Sequence, residues 1–320
     1  MKYILRRLLH GAFVLVGVSV LCFLFADIAP GNFFDEMKLD PQISPQTVHA
    51  LKQEYGLNRP LPVRYALWVK SVLKGQWGYS FAYGSSVRSL LVVRARNTLL
   101  LAGIATFLLW LIAVPLGVYI ADHPGGWSDH LCMAGTSLLL SVPELVLALG
   151  LLFWVVRTNA LPVGGMTSLG SAHAGTWARI CDLIRHLIVP VAVLVLAALP
   201  IVVRHVRASM MEALNAPFVQ AARGHGIGRA RILVYYALPA AANPLISLFG
   251  VSIGGLLSGS LLVEAISGWP GLGPLLLEAS MSRDLYVVVG AVMLSAFFMI
   301  AGNLIADAML IAVDPRIRAD

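Results

Sequence analysis

The stretch 218–239, FVQAARGHGIGRARILVYYALP, is polar and basic although it lies between two long apolar runs. The pair Ala221–Ala222 is followed by Gly226, and the pair Leu238–Pro239 comes about a dozen residues after this glycine. This order predicts a short helix with small residues, a sharp turn at the glycine, and a second helical piece ended by the proline. Because small side chains let another surface come close, the stretch is a candidate docking surface.

The composition is that of a polytopic membrane protein. Of the 320 residues, 58% are hydrophobic and 12% are charged, whereas charged residues make up about 25% of soluble domains. The net charge of +7 does not indicate nucleic-acid binding, because the basic residues fall mainly at the ends of apolar runs and in loops. The cysteines have neither Cys-x-x-Cys nor Cys/His spacing, so they predict no disulfide framework and no zinc site: Cys22, Cys132 and Cys181.

Six apolar runs are predicted to cross a bilayer, which takes about 20 residues in a helix. The first run has a basic start like a signal peptide, but it is too long for one and no cleavage site follows it. We therefore expect an uncleaved first span with the N-terminus inside, and six spans then place the C-terminus and residues 204–240 inside as well. The expected spans are approximately 8–29, 98–121, 131–156, 186–203, 242–264 and 286–311.

The distribution of positive charge agrees with this orientation. Short loops that stay in the cytoplasm carry an excess of Lys and Arg, whereas long loops are largely exempt from the rule. The short outer segments contain only Arg157, Arg179, Arg185 and Arg283. The inner segments contain Lys2, Arg6, Arg7, Arg204, Arg207, Arg223, Arg229, Arg231, Arg316 and Arg318.

Residues 30–96 differ in composition from the apolar runs and are expected to lie outside the membrane. Ser44 is a candidate helix cap before Pro45, and residues 61–75 form a second amphipathic segment. An aromatic, loop-like piece follows. We expect two short helices rather than an independent domain, and an irregular, glycine-rich outer loop at 157–185.

Several strings resemble the dipeptide, oligopeptide and nickel branch of ABC-importer permeases. Stretch 218–239 resembles that class's signature Glu-Ala-Ala-x3-Gly-x9-Ile-x-Leu-Pro, with Gln220 at the glutamate position and Tyr236 at the isoleucine position. The other strings are GLNRPLPVRYALWVKSVLKGQWGYSF (56–81), VEAISGWPGLG (263–273) and NLIADAMLIAVDPRIRAD (303–320). The strings lie far apart along the sequence, so the resemblance extends over essentially the whole chain.

The resemblance implies an all-α, polytopic protein of the bacterial inner membrane, with about six transmembrane helices and both termini cytoplasmic. Its fold would be the type I permease fold of ABC importers, with an extracytoplasmic insertion after the first span. The implied parts are residues 1–29 (N-terminus and first span), 30–96 (extracytoplasmic helical segment), 97–312 (permease core, including the coupling loop 204–240) and 313–320 (cytoplasmic tail).

The resemblance also implies a function and partners. The chain would form half of the translocation path of an ATP-driven peptide importer, together with a related second permease, two cytoplasmic ATPases and an extracytoplasmic substrate-binding protein. A nickel complex or another small peptide is the alternative substrate within this branch. ATP and Mg²⁺ would bind the ATPases, since this sequence has no Gly-x4-Gly-Lys-[Ser/Thr] loop and predicts no cofactor and no enzyme activity of its own. The implied ATPase-coupling residues are Phe218, Gln220, Ala221, Ala222, Arg223, Gly224, Gly226, Leu238 and Pro239.

Five other residues are candidates for the translocation path or its gate: Glu264, Trp269, Glu144, Asn303 and Asp307. Glu264 either lines the path or pairs locally near the membrane surface. Asn303 and Asp307 share a helix face, which favours a contact between helices over a wet path. An ion-gradient-driven carrier that uses Glu144, Asp307 and Glu264 is the alternative from another class, but it leaves stretch 218–239 without a role.

Overall fold

The computed structural model describes residues 2–28, 59–168, 170 and 175–313, and these residues are mainly helical. Within them, the strands form one short antiparallel hairpin in which Tyr79 pairs with Ser86 and Ser80 with Ser85. The expected helix after Ser44 and the tail arginines lie outside the described residues. The elements are α1 (Lys2–Ile28), α2 (Leu61–Leu73), β1 (Tyr79–Ser80), β2 (Ser85–Ser86), α3 (Val87–Asp122), α4 (Trp127–Ser141), α5 (Glu144–Thr158), α6 (Thr176–Leu214), α7 (Pro217–Gly224), α8 (Arg229–Ile232), a π-helical turn (Leu233–Ala237), α9 (Leu238–Ala240), α10 (Ala242–Ile266), α11 (Leu272–Met281) and α12 (Leu285–Val313).

Five helices are long and apolar enough to cross a membrane, namely α1, α3, α6, α10 and α12. Helices α4 and α5 together can provide a sixth span, although they are bent by 95° at the break between them. The predicted fold class, an all-α protein with about six spans, is therefore confirmed. The bend occurs where Pro143 restricts Val142 to an extended conformation (φ −96°, ψ 117°) and offers no N–H to the helix.

Two spans are longer than the hydropathy of the sequence suggests. Helix α3 begins at Val87 rather than near residue 98, and α6 covers 39 residues rather than 186–203. At 1.5 Å per residue, α6 is about 58 Å long, nearly twice the thickness of the hydrocarbon core. The prediction of an irregular outer loop is therefore wrong for residues 176–185, which are helical. Hydropathy locates only the apolar part of a helix that continues into polar residues.

The chain forms two compact units, and the first comprises Met1–Thr98 and Pro270–Phe298. Phe23, Trp68 and Val289 form its small hydrophobic core, in which the ring centroids of Phe23 and Trp68 are 4.9 Å apart. The hairpin was not expected from the sequence. It is tied to Asp284, whose carboxylate is 2% exposed and accepts hydrogen bonds from Ser80 Oγ (2.7 Å) and the Ala82 N–H (3.3 Å).

A second tie in this unit joins the hairpin to α11, a helix that the sequence analysis did not predict. The Tyr83 hydroxyl donates a hydrogen bond to the Glu278 carboxylate. Two causes raise the pKa of Tyr83 to about 12: partial burial is the larger, and this hydrogen bond to a carboxylate is the next.

The second unit comprises Leu99–Trp269 and Met299–Asp320, and it contains the largest hydrophobic core. Helix α6 supplies much of this core and is the most buried of the five long spans. Helix α10 packs closely on the last part of α12: a side-chain carbon at Gly250 would collide with Ala306, and one at Gly254 would lie 3.1 Å from Met299 Cγ. These two glycines therefore serve packing within the chain.

Candidate functional site

Helix α7 has one face in the core and the other on the surface. Val219 (0% exposed) and Ala222 (5% exposed) point inward and pack in the large core. Phe218, Gln220 and Ala221 lie on the surface, and 51% of Phe218 is exposed. Of the alanine pair, only Ala221 lies on the surface, whereas Ala222 is buried and anchors the helix.

The chain leaves α7 through a Schellman motif, a hydrogen-bonded helix ending that needs a residue in the left-handed conformation. Gly226 takes this conformation, with φ +75°. Its N–H donates to the Arg223 carbonyl (2.9 Å), and the Ile227 N–H donates to the Ala222 carbonyl (3.2 Å). Ile227 then packs against the same core as Ala222. The Ala-x3-Gly spacing is therefore the spacing that this motif requires.

The second helical piece is not ended by Pro239, contrary to the expectation. The chain stays helical to Ala240 and enters α10 after the single turn residue Ala241. The π-helical turn before the proline explains this difference: the Leu238 N–H reaches back five residues to the Leu233 carbonyl. In a regular α-helix the proline ring would clash with the carbonyl four residues earlier, and the wider turn relieves that clash.

Arg207 of α6 and Arg229 of α8 bind two acids of the short segment 122–130, in which α3 ends and α4 begins. Arg229 Nε lies 2.7 Å from Asp122 Oδ2, and the same side chain donates to the Asp122 carbonyl oxygen. Arg207 donates two hydrogen bonds of 2.7 Å to the buried Asp129 carboxylate. Sequence reasoning missed both acids. The available signal was a link with two acids and no Lys or Arg beside a stretch rich in arginine.

Two further arginines near α7 keep their charge on the surface. Arg223 and Arg231 are exposed, and neither makes an ion pair or hydrogen bond with the described residues. A cavity of about 460 Å³ beside α7 is lined in part by Arg223, Arg229, Asp122 and Asn215. Gly224, the last residue of α7, is also exposed and has open space around it. This surface therefore combines small residues with uncompensated positive charge.

Glu264 and Trp269 are held together by a second Schellman motif at the end of α10. The Trp269 N–H donates to the Glu264 carbonyl (2.9 Å), and Gly268 between them has φ +62°. Both side chains are fully buried within the chain. In this conformation they therefore form part of the packed end of α10 rather than an open surface.

Glu144 and Asn303 both lie against glycines of α10, at different levels. Glu144 is the first residue of α5 and is partly buried; its Oε1 is 3.0 Å from the position that a side-chain carbon would take at Gly259. Asn303 Oδ1 is 3.7 Å from the corresponding position at Gly250. Asp307 is partly buried one helical turn beyond Asn303. The structure thus does not gather the five candidate residues into one cluster.

Comparison with protein families gives two matches that together cover nearly the whole chain. Residues 113–319 match the family described as binding-protein-dependent transport system inner membrane component. Residues 1–102 match the family described as the N-terminal part of such a membrane component.

Curated relatives are similar over their full length. The chain is 35% identical to the oligopeptide transport system permease protein AppB of Bacillus subtilis, over 98% of both chains. It is 32% identical to the dipeptide transport system permease protein DppB of Escherichia coli K12, over 99% of both chains. It is 30% identical to the nickel import system permease protein NikB of Staphylococcus aureus, over 99% of this chain and 92% of that protein.

A solved structure has a similar fold. One chain of the inward-facing methionine ABC transporter MetNI matches with a TM-score of 0.53 and 18% identity, over 70% of this chain and 96% of that chain.

Proposed function

Because this chain belongs to the family of inner membrane components of binding-protein-dependent transport systems, we propose that it forms half of the translocation path of an ATP-driven peptide importer. It is a multi-pass protein of the inner membrane and the permease component of the importer. The chemical work of ATP and Mg²⁺ then belongs to partner ATPases, and this chain transmits their movement to the path.

The observation that carries the proposal is the attachment of α7 to the hydrophobic core. Its inner face is fixed in the core by Val219 and Ala222, and its C-terminal end is fixed by the Schellman motif at Gly226. A helix held at its base and its end moves as a rigid piece with the core behind it. The surface face, with Phe218 and Ala221, is therefore suited to dock on an ATPase and to pass its motion inward.

The attachment of α7 to the core also suggests how the free energy of ATP binding is used. ATP binding draws two ATPases together, and each permease follows the ATPase on which its coupling helix rests. The importer then alternates between inward-open and outward-open states. ATP shifts the equilibrium between them only by the difference between its binding free energies in the two states.

The complete assembly would contain this chain, a related second permease, two ATPases and an extracytoplasmic binding protein. Both termini and the coupling loop 204–240 would face the cytoplasm, and residues 30–96 would lie outside. The contacts of Arg229 and Arg207 with the 122–130 link support one part of this topology, because they place two expected inner segments side by side.

Peptides are the proposed substrate because the relatives with the greater identity are oligopeptide and dipeptide permeases. A nickel complex is the second candidate, favoured by the similarity to the nickel permease of Staphylococcus aureus. The two are separated by competition: unlabelled di- and oligopeptides should suppress uptake of a labelled peptide, whereas chelated nickel should not.

Cysteine crosslinking tests the docking of α7. Phe218→Cys or Ala221→Cys, paired with cysteines in the co-purified ATPase, should crosslink in native membranes, and the crosslink should abolish transport. Tyr235→Cys, which is 73% exposed on the π-helical turn, is the matched control. Purification of the chain without any ATPase would contradict the proposal.

A further inference from the structure

Helix α2 lies beside α1, at a level below the end of the apolar part of α1. The Tyr65 and Ser19 hydroxyls share a hydrogen bond of 2.9 Å, and the ring centroids of Trp68 and Phe23 are 4.9 Å apart. The apolar stretch of α1 continues to Phe25. At 1.5 Å per residue, Ser19 lies about 9 Å before that residue along the helix. Helix α2 is therefore level with membrane-spanning residues of α1, although the sequence predicts an extramembrane position for it.

Contacts with α12 also place α2 within the membrane. Trp68 is 6% exposed and packs with Val289 as well as with Phe23. Leu285, which begins α12, and Met293, which lies about two turns further along, both pack against this core. The core therefore follows α12 for about 12 Å from its first residue. Since the hydrocarbon core of a bilayer is about 30 Å thick, α2 has the position of a helix inserted into one half of the membrane.

An exposed stripe of α2 changes in character along the helix. Val63, Leu67, Lys70 and Lys74 follow one another at helical spacing, so they share one side of α2 and its last turn. All four are exposed, the two apolar side chains by 44% and 45%. A helix that lies flat on a membrane has its apolar and charged residues on opposite faces. The stripe of α2 instead passes from apolar to cationic on one face, which fits a helix that enters the bilayer with its N-terminal end deeper.

The contacts with α1 have the same direction. Tyr65 reaches Ser19, whereas Trp68, about one turn later in α2, packs on Phe23, about one turn nearer the end of α1. The N-terminal end of α2 is therefore the deeper one, and it is also the end at which the stripe is apolar.

Phospholipid suits both ends of the stripe. At the level of α2, the span α1 exposes Leu21 (50%) and Phe25 (64%), so both helices have apolar side chains there that the chain itself leaves uncovered. Lysine stems extend along apolar surface and carry their ammonium groups to the lipid phosphates. No acid occurs between Arg59 and Asp122 in the sequence, so the two lysines have no counter-charge nearby along the chain. Water would suit the lysines alone, and an apolar protein surface would suit only the two apolar residues.

We propose that α2 is inserted obliquely into the half of the bilayer in which α1 ends, and that phospholipid is the partner of its exposed stripe. Val63 and Leu67 lie among the acyl chains, and Lys70 and Lys74 lie at the level of the phosphates. In the proposed orientation this is the outer half of the membrane, so α2 is on the outer side but not in water. The depth follows from the two spans and does not depend on the substrate.

Spin labels measure this depth. Single cysteines replace Val63, Leu67, Lys70 or Lys74 in a full chain whose three native cysteines are changed to serine. Because these side chains are exposed, the label does not disturb the core. The labelled chain is purified with its partners and reconstituted in liposomes of phosphatidylethanolamine and phosphatidylglycerol. Power saturation then compares collisions of the label with oxygen, which concentrates among acyl chains, and with a water-soluble nickel chelate.

The ratio of oxygen to nickel collisions should be severalfold higher at Leu67 than at Lys74, and it should fall along the stripe from Val63 to Lys74. Two reference labels set the scale. Phe13→Cys, at a side chain of α1 that is 78% exposed, reports the acyl-chain region, and Gln76→Cys, at an exposed residue after α2, reports water. Leu67 should resemble the first reference.

Three other outcomes would overturn the inference. Nickel collisions at Leu67 as frequent as at Gln76 would place α2 in water. Few collisions with either reagent at Leu67 would show that the second permease or the binding protein covers the stripe. Equal ratios at Leu67 and Lys74 would rule out oblique insertion. Each of these results leaves the importer proposal intact, and an importer that carries no peptide would leave the depth of α2 unchanged.

Discussion

At the scale of single residues, the ending of α7 depends on the left-handed conformation of Gly226. Gly226 has φ +75° and open space where a side chain would be, so a substitution there tests the backbone alone. Gly226→Ala should destabilise the end of α7 by about 1 kcal/mol and reduce transport while the protein remains in the membrane. Apparent Tm in detergent and uptake in vesicles measure the two effects. Gly224→Ala, at a helical position with equally open space, should leave Tm unchanged or raise it; an equal drop in both variants would refute the account.

Arg283 also takes the left-handed conformation at a helix ending, although this conformation is sterically strained for a residue with a side chain. It has φ +54° at the end of α11, where the Asp284 N–H donates to the Ala279 carbonyl (2.8 Å). Arg283→Gly should therefore raise the free energy of unfolding by about 0.5–1 kcal/mol, because glycine takes this conformation without the steric cost. Thermal unfolding in detergent measures the change. Arg283→Ala keeps the strain and should stay near wild type, and a lower Tm for Arg283→Gly would contradict the explanation.

At the scale of elements, the elbow between α4 and α5 depends on Pro143. The proline holds Val142 extended and gives α5 a start without an N–H, so neither helix can continue into the other. Pro143→Ala removes both constraints and should let the two helices approach a single straight span. We expect peptide uptake to fall severalfold, with spin labels at the far ends of α4 and α5 moving apart. An unchanged distance would show that packing on α6 and α10, rather than the proline, holds the bend.

The sequence predicts single helices and turns better than it predicts the contacts between them. Hydropathy locates the spans because burial in lipid is a property of each segment by itself, and the Ala-x3-Gly spacing predicts the turn after α7 because a Schellman motif is local. The ion pair between Arg229 and Asp122 joins residues more than a hundred positions apart, and nothing local in either segment encodes it. The length of α6 was missed for a related reason, since its polar ends are stabilised by neighbours rather than by lipid.

At the scale of the whole molecule, the orientation in the membrane fixes which surface meets which partner. The proposed orientation, six spans with the N-terminus inside, would place the start of α6 outside and α7 inside. Cys181 lies near that start, on an exposed part of α6 between Arg179 and Arg185, whereas Cys22 and Cys132 are partly buried. A membrane-impermeant maleimide added to spheroplasts should therefore label the wild-type protein, mainly at Cys181, and Cys181→Ser should remove most of the signal.

A complementary labelling measurement tests the cytoplasmic position of α7. In a Cys181→Ser background, Gly224→Cys places an exposed thiol on α7, where the docking face requires it to be cytoplasmic. This thiol should react with the impermeant reagent only after the membrane is opened, and bound ATPase should slow the reaction further. Labelling of Gly224→Cys in sealed spheroplasts would place α7 on the side of the binding protein. That result would reverse the topology and remove the physical basis for coupling to ATP, because a helix outside the cell cannot rest on a cytoplasmic ATPase.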